Sequence, residues 1–66
     1  MDNAPLTVRQ AETLKVLSAE IDRLHVAMRD AVESGLSVEL QRASRYHCGS
    51  GHWGDLMRPV VVQARA

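Results

Sequence analysis

Sixty-six residues carrying a formal net charge of zero, 45 % apolar side chains and one cysteine, Cys48, are expected to form one small domain. A chain this short buries only about 60 % of its unfolded surface, so it normally relies on a disulfide, a metal, a partner or unusually good packing. A lone cysteine excludes an internal disulfide, the apolar share argues against a disordered chain, and the lack of an apolar run near 18 residues speaks against a membrane-spanning helix.

The single cysteine fits a reducing compartment. The start, Met1-Asp2-Asn3-Ala4-Pro5, has no basic segment followed by an apolar one, so no secretory signal is expected and cytoplasmic residence is the expectation. Phe is absent and the aromatics are Tyr46 and Trp53 alone, so any core must be aliphatic. Residues 1–34 carry a net charge of −2 and residues 35–66 a net charge of +2, and seven of the eight basic residues are Arg. Arg suits bidentate pairing with carboxylate or phosphate. The Arg of the second half (Arg42, Arg45, Arg58 and Arg65) keep nucleic acid open as a partner without making a basic patch.

Residues 1–6 read as a lead-in, because Pro5 cannot lie inside a helix that starts before it. Thr7 followed by Gln10 has the spacing of a capping box, in which each side chain satisfies the other residue's free backbone N–H. From there a helix is expected to Ser34, with Gly35 supplying the left-handed residue after the last turn, so that residues 7–35 form one element. Leu14, Leu17, Ile21, Leu24, Met28 and Ala31 recur at alternating steps of three and four, which places them on one helical stripe. Val16, Val26 and Val32 lie off the stripe and widen the apolar surface. Glu20 is placed to reach Arg23. The remaining carboxylates, Glu12, Asp22, Asp30 and Glu33, read as a solvated face without a catalytic pair. His25 flanks the stripe, where it can be a hydrogen-bonded surface residue or a titrating group at an oligomer seam.

Residues 36–66 are expected to form a strand–loop–strand unit. Leu36-Ser37-Val38-Glu39-Leu40-Gln41 alternates apolar and polar, with Leu36, Val38 and Leu40 facing the helix. Val60–Ala64 is a β-branched run after Pro59, a residue suited to a strand start or sheet edge. The two runs can pair as an antiparallel hairpin. The competing reading makes Val38–His47 a second helix capped by Ser37, giving an all-α helical hairpin. Between the runs, Ala43–Arg58 is too long for an ordinary connection, unless the strands extend inward and the turn is only Cys48-Gly49-Ser50-Gly51.

Two strands of about six residues span roughly 20 Å, half the helix length. One hairpin then leaves part of the stripe uncovered. The expected fold is therefore α+β, a long N-terminal helix followed by a short antiparallel hairpin. It would form a homodimer through a coiled-coil-like seam of Leu14, Leu17, Ile21, Leu24, Met28 and Ala31.

Chemistry concentrates in His47-Cys48-Gly49-Ser50-Gly51-His52. His47, Cys48 and His52 are zinc-ligand types, but the paired-cysteine spacing of structural zinc is missing, so neither metal nor cofactor is expected. Cys48 with His52 as base and Asp55 as orienting group has the composition of a nucleophilic site but no local signature. Ser50 between glycines lacks the Gly-Lys-Ser/Thr ending of a phosphate loop. Trp53 either anchors the loop on the core or, with Arg45, Tyr46 and Arg58, forms a partner-binding surface, because Trp, Tyr and Arg dominate interface hot spots. The functional expectation is a non-enzymatic, homo-oligomeric interaction or regulatory module. A small nucleic-acid-binding regulator and a metal- or thiol-dependent activity at Cys48 are the alternatives.

Overall fold

The computed structural model describes residues 5–65, so the part of the lead-in at residues 1–4 lies outside it. One helix, α1 (Val8–Glu33), is followed by two strands, β1 (Leu36–His47) and β2 (Trp53–Ala64), which pair as an antiparallel hairpin. The α+β arrangement follows the sequence pattern, and residues 37–47 are strand rather than a second helix.

The helix begins where its chemistry starts it. The Gln10 backbone N–H donates to Thr7 Oγ1 at 3.0 Å, and the Thr7 N–H donates to Gln10 Oε1 at 2.9 Å. Two donors that no helical carbonyl can reach are thereby satisfied. Arg23 reaches Glu20 at 3.2 Å, as the spacing predicts. At the other end Ser34 caps the helix, its hydroxyl donating to the Ala31 carbonyl at 2.7 Å. Gly35 then turns the chain with φ +107°, a conformation that carries almost no penalty only for glycine.

The strands are longer than the alternation suggests. Each has twelve residues, which makes the hairpin about 40 Å long and equal to the helix. The six-residue strands are therefore corrected, and the connection is short, running from Cys48 to His52, one residue longer than the Cys48–Gly51 turn expected. Two register shifts explain the lost alternation. Val62 has no opposite residue on β1 and Ala43 has none on β2, so each strand carries one bulge. The bulge at Ala43 restores the offset made at Val62, and pairing continues through Arg45↔Asp55 to His47↔Trp53.

Helix and hairpin meet only near the corner. Met28 and Ala31 on α1 and Leu36, Val38 and Leu40 on β1 are half-buried there. Further from the corner the stripe opens to water: Leu24 is 37 % exposed, Ile21 42 %, Leu17 55 % and Leu14 50 %. The stripe is uncovered because the two elements diverge, not because the hairpin is short. The longest dimension, 49 Å, exceeds either element, and the radius of gyration is 15.9 Å, against about 11 Å for a compact domain of this length. Among the described residues none is fully buried.

Two substitutions test the corner and the cap. A Cβ at Gly35 would collide with the Arg65 carbonyl oxygen and meet a positive φ. Gly35→Ala is therefore expected to destabilise the chain by more than about 1 kcal/mol in urea titration. Thr7→Ala removes the cap and is expected to cost about 1 kcal/mol in the same measurement.

Candidate functional site

Side chains of paired and alternate strand residues share a face, so the register assigns each candidate to a side of the hairpin. The side turned towards α1 carries Leu36, Val38, Leu40, Arg42, Arg45 and His47 from β1. From β2 it carries Val61, Pro59, Met57, Asp55 and Trp53. Its half near the corner is apolar. Leu36, Val38, Leu40, Pro59 and Val61 line a groove of about 350 Å³ with Leu24, Ala27, Met28 and Ala31 of the helix.

The far half of the same face is an ordered polar cluster. Asp55 accepts a hydrogen bond from Arg45 Nε at 3.1 Å, and Arg42 Nη1 lies 3.9 Å from the same carboxylate oxygen. Arg45 also stacks on Trp53, its Cζ lying 4.3 Å from the ring centroid. The cation faces the negative side of the indole ring while the carboxylate holds it in plane. These groups are solvent-exposed, so each ion pair contributes about 0–1 kcal/mol. The arrangement chiefly fixes the geometry of Arg45 and Trp53. Trp53 itself remains 57 % exposed, and Met57, on the same face beyond Asp55, 49 %.

The four residues grouped from sequence as a partner surface do not lie together. Arg45 and Trp53 share the groove side. Tyr46 and Arg58 lie on the opposite side, with Leu56 between their positions on that face. The Arg residues likewise form no single stripe, because Arg42 and Arg45 share Asp55 while Arg58 faces away. Arg42, counted from sequence only among the Arg of the second half, and Met57, not singled out at all, belong to this groove-side face. The bulge at Ala43 hides this: simple alternation places Arg42 and Arg45 on opposite faces, and the extra residue brings them to one.

The hairpin turn holds the remaining candidates. Gly49 and Gly51 take φ +90° and +93°, and the Cys48 N–H donates to the His52 carbonyl at 3.3 Å. The Cys48 thiol lies 3.0 Å from the Ser50 hydroxyl. That hydroxyl, with backbone N–H donors of the turn, favours the thiolate and lowers the Cys48 pKa. The thiol's side-chain partner is a hydroxyl rather than an imidazole, so the base assignment made for His52 has no contact behind it. Among the described residues His47, Cys48 and His52 join no group of three or more metal-ligand types. No helix among the described residues is long and apolar enough to cross a membrane.

No protein-family model, curated protein or solved structure matches this chain. The turn supplies a direct check on its own chemistry. The alkylation rate of Cys48 is expected to rise with pH through a midpoint lower than that of an ordinary thiol. Ser50→Ala is expected to move that midpoint upward and slow alkylation near neutral pH, read by mass spectrometry of the labelled chain.

Proposed function

We propose that this chain is a non-enzymatic, self-associating interaction module. Copies join through the apolar stripe of α1, and the hairpin arm offers a recognition surface to a protein partner. The observation that supports this reading is surface area. The chain exposes 6040 Å², whereas a folded monomer of its mass exposes about 4,200 Å². The excess, about 1,800 Å², is more than twice the roughly 800 Å² per partner of an ordinary protein interface.

The character of that surface supports it as well. Leu14, Leu17, Ile21 and Leu24 stand in water on one helical line. Covering the exposed half of each is worth about 1 kcal/mol. Their three–four spacing suits helix packing at a shallow crossing angle. The hairpin bears the rigid anchors of a recognition arm, Trp53 and Arg45 on one side, and Tyr46, Leu56 and Arg58 on the other. No cofactor enters this reading.

Sedimentation across a concentration series tests it. The expected species is twice the 7.3 kDa chain mass, with a melting temperature that rises with concentration. Leu17→Asp places a charge on the stripe at an exposed position and is expected to shift the population to monomer. A wild-type chain that sediments at the single-chain mass throughout would overturn the reading.

A further inference from the structure

Each chain leaves two surfaces of matching length in water. One is the N-terminal half of α1, Val8–Ile21, about 21 Å long, with Leu14, Leu17 and Ile21 on its stripe. The other is the groove-side face of the far hairpin, Arg42–His47 against Trp53–Met57, roughly 20 Å long, with Met57 and Trp53 exposed. They are the two inner walls of the opening between helix and hairpin. The corner holds that opening apart, because the Arg65 N–H donates to the Gly35 carbonyl at 2.8 Å and fixes the hairpin base to the helix end.

Resting on the self-association proposed above, we infer that the occupant of this opening is the helix of a second copy. The N-terminal half of α1 from one copy lies on the far groove-side face of the other copy's hairpin, and the exchange is reciprocal. A two-fold arrangement of this kind satisfies both surfaces at once; of the two sides of the recognition arm it takes up the one with Trp53 and Arg45 and leaves Tyr46, Leu56 and Arg58 to a protein partner. A seam confined to two helix stripes leaves Met57 and Trp53 in water and uses only part of the excess area.

Charge selects between the two ways of pairing the surfaces. The far hairpin face carries Arg42 and Arg45 against one carboxylate, Asp55. Placing that face on its own copy opposes four guanidinium groups with two carboxylates, and like charges across an interface are costly. The helix half Val8–Ile21 is neutral, with Arg9 and Lys15 balancing Glu12 and Glu20. Its stripe positions hold no charged residue. Helix on hairpin therefore avoids the repulsion and covers both apolar sets.

The test compares Met57→Asp with Leu17→Asp by sedimentation, and follows the emission of Trp53, the only tryptophan, as wild-type protein is diluted. Met57 is half exposed, so the variant is expected to keep its helix, with circular dichroism as the control. Reciprocal exchange predicts that both substitutions weaken the dimer at least roughly tenfold, and that Trp53 emission shifts to the red as the dimer dissociates. A dimer lost by Leu17→Asp but kept by Met57→Asp, with Trp53 emission unchanged on dilution, would overturn the exchange and leave the helix seam standing. A wild-type monomer at every concentration would overturn both.

Discussion

The corner at Ser34-Gly35 is the constraint on which the rest of the molecule depends. The helix ends there on a capped turn, and a positive φ at Gly35 sends the chain into β1 without a connecting loop. The far end of the hairpin returns to the same point, where the Arg65 N–H meets the Gly35 carbonyl. Both strands are thus anchored at one end of the helix. From that point two stiff arms leave, one held by its capping box and i→i−4 ladder, the other by eleven cross-strand pairs. With no soft joint between them, the divergence set at the corner extends to the tips.

Under the proposed function this geometry ties stability to assembly. A two-stranded hairpin is marginal by itself, and most helical stability in proteins comes from packing an apolar face rather than from propensity. In the single chain that packing is confined to the few residues around Met28, Ala31, Leu36, Val38 and Leu40, none of them fully buried. Under the proposed function the missing burial is supplied by another copy, and folding and association become one equilibrium. The cap at Thr7 has a particular place in such a system. It stabilises the free end of the helix, which is furthest from the corner and receives no support from its own hairpin.

Much of the fold was legible because its signals are local. Thr7 and Gln10 announced the helix start, Gly35 its end, and the alternation of Leu36, Val38 and Leu40 the strand face that meets the helix. The hairpin's length was not, because it depends on a non-local event. Two bulges, at Ala43 and Val62, shift the pairing and then restore it, and no single-strand periodicity survives such a shift. The same bulge concealed half of the candidate site. Arg45 and Trp53 were readable as anchors by residue type, but their alliance with Arg42 and Asp55 exists only across the strand pair, and so does the separation of Tyr46 and Arg58 onto the other face. The expectation of an uncovered stripe rested on strand length. The stripe is uncovered, but the cause is the angle between the elements, a tertiary quantity that helix periodicity does not encode.

The bulges also bear on how association can proceed. Both strands of this sheet are edges, and an exposed edge invites a further strand. Here each edge strand carries an irregularity, and β2 also contains Pro59, which has no N–H to donate. Bulges and proline are devices that discourage edge-to-edge pairing, and together they interrupt the ladder at Ala43, Pro59 and Val62. The apolar groove and the stripe carry no comparable obstacle. By bringing Arg42 and Arg45 to one face, the bulge at Ala43 moreover makes that face change from aliphatic near the corner to cationic and aromatic near the tip. A partner laid along it meets the aliphatic half first and the charged half last. Such a face has direction: its aliphatic end meets the chain's own helix, and its far end presents Met57 and Trp53 beside guanidinium groups that Asp55 partly neutralises. The residue that blurs the strand pattern in the sequence is thus the one that gives the surface its polarity.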